Sequence, residues 1–253
     1  MIVIPTEGLY LYGIVSDNKN NSSIFSGIKG MDNAEVYTIS CKNLAVAVSK
    51  TPLTVYEPDR ENSFRHEQVI RAVMEHETII PICFGVIFKS EEDIRYLVES
   101  TYTELEEIYY SVKGKIEVGL LIFWKKDSFT SEVLEGSREI KNLKKEIAAG
   151  KDLNYYEKMY YGEVIQKIAD KRRDYYRDEV ISVLKNHAVS YKLNDIVGEK
   201  MILNAAFLVD KEKEELFDLK VNEVYEKWKN NLVFKYTGPW PPYNFVTVKL
   251  RIE

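Results

Sequence analysis

The chain has 253 residues, of which 45% are hydrophobic, and this is enough for packed cores in one large domain or two modest ones. It carries 35 basic and 40 acidic residues, a formal net charge of −5. That balance argues against a general nucleic-acid binder, because such proteins gain affinity by neutralising phosphates. The sequence has no apolar run of membrane-spanning length and no secretory signal pattern at its start, so we expect a cytoplasmic protein.

The first half of the chain alternates between strand and helix patterns. Residues 9–15 predict a strand, and residues 34–40 and 44–50 predict a hairpin. Ser63 is a candidate cap for a helix with an apolar face at Val69, Ile70, Val73 and Met74. Residues 79–88 then predict a bent strand or a pair of strands, and helical spacing of apolar residues follows from 94 to 109.

Gly114 marks the predicted domain boundary, after which a second set of elements begins. The pattern predicts, in order, a strand at 116–124, helices at 131–149 and 155–186, strands at 189–193 and 201–209, a helix from 216 to 228 and a strand at 232–236. This order is the split βαβ of a ferredoxin-like domain with an expanded first crossover. We therefore predict an α+β protein with an N-terminal α+β domain at 1–113 and a modified ferredoxin-like domain at 114–253. Its extra helices would lie at about 127–187.

The run from Lys235 to Val246 is rich in proline and aromatic residues. Gly238-Pro239 predicts a turn, and Pro241-Pro242 predicts a stiff extended piece. A pre-ordered backbone would present Trp240 and Tyr243 to a partner at small entropic cost. The alternative is that Trp240 covers the core of its own domain.

Together with the segment from Ile79 to Phe88, this run resembles the gas-vesicle accessory proteins F and L, one related family. The resemblance lies in Pro81-Ile82-Cys83-Phe84-Gly85 and in Thr237-Gly238-Pro239-Trp240-Pro241-Pro242-Tyr243, and the opening Tyr10 to Val15 fits as well. Length and motif order also match, so the resemblance covers nearly the whole chain. It implies two α+β domains, the second a modified ferredoxin-like fold with a helical insertion. Relatives often have a basic residue where Cys83 stands, so a contact made by that charge would be altered here.

We find no catalytic motif, metal site or cofactor loop in the sequence. The three histidines lack the second histidine that a zinc-protease helix needs, since Ile70 and Ile80 occupy those positions, and His66 is expected at the surface or at a helix end. Neither a dinucleotide-binding nor a phosphate-binding glycine loop is present. Glu57, Asp59 and Glu61 are expected to form a solvated loop rather than a cation cage. Cys41 and Cys83 are expected to be buried free thiols.

Three functions remain open, and the resemblance favours a non-enzymatic assembly factor for gas vesicles. It implies chaperone-like binding of the apolar shell protein and of other accessory proteins during nucleation, with no nucleic acid or membrane as partner. The predicted partner-binding residues are Phe84, Gly85, Pro239, Trp240, Pro241, Pro242 and Tyr243. The three aromatic residues among them, Phe84, Trp240 and Tyr243, could instead belong to a core. The alternatives are an enzyme or small-molecule sensor on a ferredoxin-like fold, and an RNA-binding module. The sequence leaves stoichiometry and oligomeric state open.

Overall fold

The computed structural model describes residues 7–135, 137–150 and 152–247. Within these ranges the chain forms two compact units. One contains the residues up to Glu117 together with those from Pro239 onward, and the other contains Val118–Gly238. The proposed domain boundaries at 113 and 114 stay a prediction, but the proline-rich run belongs by its contacts to the first unit.

The first unit is built on an antiparallel sheet. Its strands are β1 (Glu7–Ser16), β2 (Val36–Cys41), β3 (Leu44–Pro52), β4 (Ile80–Pro81) and β5 (Ile87–Phe88). Its helices are α1 (Asn21–Ile24), α2 (Arg60–Met74), α3 (Glu91–Ser100) and α4 (Tyr102–Val112). The strand order is β2-β3-β1-β4, and β5 pairs with β1 as well. The predicted hairpin of β2 and β3 is confirmed, and the predicted bent strand or strand pair is the pair β4 and β5.

Strand β1 is buried on both faces, which explains its weak alternation in sequence. Leu11 and Ile14 pack with residues of α3 and α4, such as Val98, in one core cluster. Tyr10 and Tyr12 pack with the buried face of α2 in a second cluster. The register with β3 shifts between Leu11 and Gly13, so a bulge moves the apolar pattern by one residue.

Helix α2 begins earlier than the sequence indicated. Asp59, not Ser63, is the N-cap, and its carboxylate accepts a hydrogen bond from the Asn62 N–H at 2.8 Å. The predicted apolar face is buried at Val69, Ile70 and Val73. Asp59 was expected to lie in a solvated loop. It instead serves α2 locally, by accepting a hydrogen bond from a backbone N–H of the first helical turn.

The second unit has ferredoxin-like element order. Its strands are β6 (Lys115–Trp124), β7 (Ser190–Leu193), β8 (Met201–Asp210) and β9 (Leu232–Trp240). Its helices are α5 (Lys126–Phe129), α6 (Arg138–Ala148), α7 (Tyr155–Leu184) and α8 (Glu214–Trp228). The sheet order is β7-β8-β6-β9. The two strands that each helical crossover connects, β6 with β7 and β8 with β9, are therefore separated by one other strand, as a split βαβ requires, while β7 and β8 pair directly as a hairpin. The α+β fold class and this element order are confirmed.

Two local predictions in the second unit were wrong. The helix expected at 131–149 is interrupted, because a π-helical stretch at Thr130–Leu134 precedes α6, whose cap is Ser137. The turn expected at Gly238-Pro239 is absent, because β9 continues to Trp240. β9 lies at the edge of its sheet, which is the position where a strand tolerates proline.

Candidate partner-binding site

The first motif is held against β1 by backbone hydrogen bonds. The N–H of Ile82 donates to the carbonyl of Tyr12, and the N–H of Leu11 donates to the carbonyl of Val86, both at 2.9 Å. Between these bonds the chain leaves the sheet and reverses at Gly85, which has a φ of +85°. A side chain at this position would have space but would strain the backbone, so glycine is required by conformation.

A chain of buried hydrogen bonds joins this loop to α2. The N–H of Gly85 donates to the Tyr10 hydroxyl at 2.9 Å, and that hydroxyl lies 3.1 Å from His66 Nδ1. His66 Nε2 lies 3.1 Å from the carbonyl oxygen of Ile82. A carbonyl can only accept, so Nε2 carries the proton, and in the neutral ring Nδ1 accepts from Tyr10. A single neutral tautomer of His66, with its proton on Nε2, therefore satisfies the hydrogen bonds of the ring, of the Tyr10 hydroxyl and of the Ile82 carbonyl.

Burial favours that neutral state of the ring. It lowers the pKa of His66 to about 4, against the smaller opposing effect of the Ile82 carbonyl. Burial likewise raises the pKa of Tyr10 to about 12, so its hydroxyl remains a donor. The expectation that His66 lies at the surface or a helix end was wrong: it is buried in the middle of α2. No local sequence pattern indicates this burial, because the tyrosine partner is 56 residues away in sequence.

Phe84 packs edge-on against the same residues. Its ring centroid lies 5.7 Å from that of His66 and 6.2 Å from that of Tyr10. The side chain is half-buried, while Gly85 next to it is exposed. Phe84 therefore contributes one face to the core and leaves another face accessible.

The second motif also reaches α2. The Trp240 ring lies over the Arg71 guanidinium, with 5.0 Å between the ring centroid and Cζ, in cation–π geometry. Pro241 and Pro242 are buried, and Trp240 and Tyr243 are half-buried. The Tyr243 hydroxyl donates to Glu67 Oε2 at 3.4 Å, and burial together with the Glu67 charge raises the pKa of Tyr243.

A buried carboxylate fixes the end of this run. Glu117 accepts the backbone N–H of Asn244 on Oε2 at 2.7 Å and the Asn244 side-chain amide on Oε1 at 2.6 Å. The backbone turns here, since the N–H of Tyr243 donates to the carbonyl of Pro241 at 2.7 Å. Glu117 stands in a strand pattern in the sequence, and nothing there indicated that it anchors a segment 127 residues away.

The two motifs are thus brought together by α2 through His66, Glu67 and Arg71. The first motif contacts the helix through Phe84 and Ile82, and the second through Tyr243 and Trp240. Burial raises the pKa of Glu67, whose Oε1 atom is buried and finds no hydrogen-bond donor among the residues in the structure. We use the name motif junction for the residues of α2 and of the two motifs that meet here: His66, Glu67, Arg71, Ile82, Phe84, Gly85, Pro239 to Pro242 and Tyr243.

An open apolar cavity of about 350 Å³ lies beside the motif junction. Both motifs contribute to its wall. It is lined by Leu11, Ile14 and Val46 of the sheet, Leu97, Val98, Thr101 and Leu105 of α3 and α4, Ile80 to Cys83, Val86 and Phe88 around the first motif, and Tyr243, Val246 and Thr247 of the second. Most of these side chains are hydrocarbon, so the cavity suits an apolar group rather than a charged one.

Cys83 lies in the wall of this cavity and is exposed, whereas Cys41 is buried. The expectation of a buried thiol was therefore wrong for Cys83. Its sequence neighbours Ile82 and Phe84 instead pack against the two core clusters of the first unit.

Comparison with known proteins gives a consistent result over the whole chain. A sequence profile described as gas vesicle synthesis protein GvpL/GvpF matches residues 8–247. The chain belongs to this family.

Relatives and solved structures of the family match at low identity but over their full length. Gas vesicle protein F1 of Halobacterium salinarum is 26% identical over 251 residues, which are 98% of this chain and 97% of that protein. The crystal structure of gas vesicle protein GvpF from Anabaena sp. PCC7120 matches with a TM-score of 0.83, at 26% identity, over 98% of this chain and 99% of that one. GvpF from Microcystis aeruginosa matches with a TM-score of 0.80, at 28% identity, over 95% and 99%. Family membership supports a role in gas vesicle formation.

The part of the chain that the structure describes contains no metal-binding cluster and no membrane-spanning helix. Its residues include no group of three or more His, Cys, Asp or Glu side chains arranged to hold a metal ion. Among the described helices, none has the length and apolar character to cross a membrane.

The first prediction concerns the Glu117 anchor. Asn244→Ala removes one donor but keeps the backbone bond, so it should lower the free energy of unfolding by about 1 kcal/mol. Glu117→Ala removes the acceptor for both donors and should cost more, about 2–3 kcal/mol. Urea denaturation of both variants measures the difference. Equal losses would show that the backbone bond contributes nothing.

The second prediction concerns the pH dependence set by His66. The unfolded ring takes up a proton near pH 6.5 and the folded ring only near pH 4, so its contribution is complete above 6.5 and is lost as the pH falls. The protonation of His66 should therefore lower the free energy of unfolding by roughly 3 kcal/mol between pH 6.5 and about pH 4. Urea denaturation across the same interval should show a shallower pH dependence for His66→Gln than for the natural chain. His76→Gln, at an exposed position, is the control and should retain the full dependence.

Proposed function

We propose that this protein assists gas vesicle formation by binding the apolar shell protein, in a chaperone-like way, during vesicle nucleation. The observation that supports this most directly is the meeting of the two motifs on α2, beside an open apolar cavity. Other gas vesicle accessory proteins are proposed as further partners. We propose that it acts in the cytoplasm, associated with gas vesicles, and without catalysis.

Apolar surface explains why such a partner is needed. A shell subunit that has not yet polymerised would leave apolar area in water at a cost of roughly 25 cal/mol per Å². A partner that covers on the order of 800 Å² would suppress aggregation off the assembly pathway. The cavity would receive an apolar side chain, and the half-buried rings of Phe84, Trp240 and Tyr243 would form its surroundings.

Pre-organisation would favour binding at the motif junction. Gly85 is fixed by its bond to Tyr10, the two prolines are buried, and Trp240 is stacked over Arg71. Little conformational entropy is then lost when a partner makes contact. Rigid aromatic side chains are also the residues that most often dominate binding energy.

A second candidate, a small-molecule sensor or enzyme, is favoured by one observation. The cavity volume of about 350 Å³ falls in the range of small-ligand sites. Such a ligand would have to be apolar, because the wall offers few polar groups. A screen of metabolites, nucleotides and apolar small molecules for a rise in melting temperature tests this candidate.

Co-expression with the gas vesicle shell protein tests the main proposal. Pull-down of the shell protein and an increase in its soluble fraction are the expected results. If the shell protein is neither pulled down nor made more soluble, even when other gas vesicle accessory proteins are co-expressed, the proposal is contradicted.

A third prediction tests the cavity directly. Leu97→Glu places a charge in the wall of the cavity and should weaken shell-protein binding by tenfold or more, because the carboxylate would be buried against apolar surface. Tyr96→Glu is the matched control, since Tyr96 is the preceding residue of α3 and 75% exposed. Pull-down titration of both variants gives the comparison. If Leu97→Glu and Tyr96→Glu bind the shell protein equally well, the cavity is not part of the interface.

A fourth prediction tests the aromatic anchor. Trp240→Ala should fold, because the Trp240 side chain is only half-buried. The variant should nevertheless lose most of its binding to the shell protein, because the aromatic anchor is gone. Val233→Ala serves as the control, being an exposed apolar position on the same strand. If Trp240→Ala keeps its far-ultraviolet circular dichroism and binds as tightly as the natural chain, Trp240 is not an anchor.

A further inference from the structure

Strand β7 is an uncovered edge of the second unit's sheet. It pairs antiparallel with β8, from Ser190 opposite Leu208 to Leu193 opposite Ala205. The sheet order places β7 at one end, and no other strand in the described ranges pairs with its outer side. Every residue of β7 is exposed.

The register determines which backbone groups point outward. The N–H of Asn194 donates to the carbonyl of Asn204 at 2.8 Å, so Asn194 faces β8. In an antiparallel ladder alternate residues face the same neighbour, and Lys192 therefore also faces β8. Tyr191 and Leu193 consequently direct their N–H and C=O groups away from the sheet, where a further strand could bind.

Apolar side chains accompany these outward groups. Val189 is 52% exposed, Tyr191 40% and Leu193 46%. Folded proteins commonly protect an edge with proline, a bulge or several charges. Here a single lysine, Lys192, lies within the strand, and a bulge lies only at its start, where Val189 donates its N–H to the carbonyl of Leu208, the residue that Ser190 also opposes. The remainder of the edge has the character of a pairing surface.

We propose that β7 pairs antiparallel with β7 of a second copy of this chain, which joins two four-stranded sheets into one of eight strands. A two-fold axis normal to the sheet keeps each side chain on its own face, so opposed residues must have numbers of the same parity. Registers centred on residues 191–194 meet that requirement. They place Tyr191, Lys192, Leu193 or Asn194 on the axis, opposite the same residue of the second copy. The register centred on Tyr191 opposes Leu193 to Val189, whose N–H already donates to the carbonyl of Leu208 at 2.8 Å, so this register forms fewer backbone hydrogen bonds between the copies.

Side-chain chemistry selects the register with Leu193 on the axis. It opposes Leu193 to Leu193 of the second copy, Lys192 to Asn194 and Tyr191 to Asp195, without a like-charge pair. The register centred on Lys192 opposes two ammonium groups, and the one centred on Asn194 opposes Leu193 to Asp195. Like charges directly opposite are unfavourable, and Leu193 opposite a carboxylate gains no apolar contact. The pairing goes beyond the proposed binding of shell protein and requires none to be present.

The mass of the full chain in solution tests the pairing. Sedimentation velocity over a wide concentration range should show the mass rise from 29.5 kDa toward twice that value. Leu193→Pro removes one outward N–H while leaving the bonds to β8, and it should stay monomeric. A natural chain that is monomeric throughout, or a folded Leu193→Pro variant that dimerises equally well, would overturn the proposal.

Disulfide trapping tests the register and does not depend on how well the proline variant folds. In a Cys83→Ser background, Leu193→Cys places two thiols opposite each other at a Cα separation of about 5.5 Å, which a disulfide can bridge. Mild oxidation should convert this variant to a covalent dimer. Tyr191→Cys, which would lie opposite Asp195, is the control and should cross-link several-fold less. Equal or reversed cross-linking would contradict the register.

Discussion

The hydrogen bonds of His66 are the constraint on which the motif junction depends. They join α2 to β1 through Tyr10 and to the first motif through the carbonyl of Ile82. Because both ring nitrogens are buried and satisfied, moving the loop would leave polar atoms without partners, at about 1–3 kcal/mol each. The loop geometry at Gly85, the position of Phe84 and the wall of the cavity all follow from this arrangement.

The C-terminal run completes the same site by a different means. Its proline residues cannot join a central ladder, and its backbone is held instead by the Glu117 carboxylate and by contacts of Trp240 and Tyr243 with α2. Residues separated by more than 150 positions therefore share one surface. The proposal that this protein handles an apolar subunit rests on the apolar cavity between them and on membership of a family tied to gas vesicle formation.

Sequence reasoning succeeded where patterns are local. Alternation and turn residues predicted the β2–β3 hairpin, and helical spacing predicted α7 and α8 close to their observed bounds. It failed where a partner is distant. His66 was expected at the surface or at a helix end, but its hydrogen-bond partner Tyr10 is 56 residues away in sequence. Cys83 was expected in a core because its neighbours in sequence are apolar. The continuation of β9 through Pro239 depends on an edge position that only the sheet order reveals.

The α+β class, the ferredoxin-like element order of the second half and the two motifs that resemble the family can be read from the amino-acid sequence. They can be read there because periodicity and turn chemistry act over a few residues. Three other features are visible only in the folded chain: both motifs meet on α2, Glu117 anchors Asn244, and β7 is an open edge. Those features depend on which distant groups satisfy one another's hydrogen bonds and cover one another's apolar surface, and no local pattern carries that information.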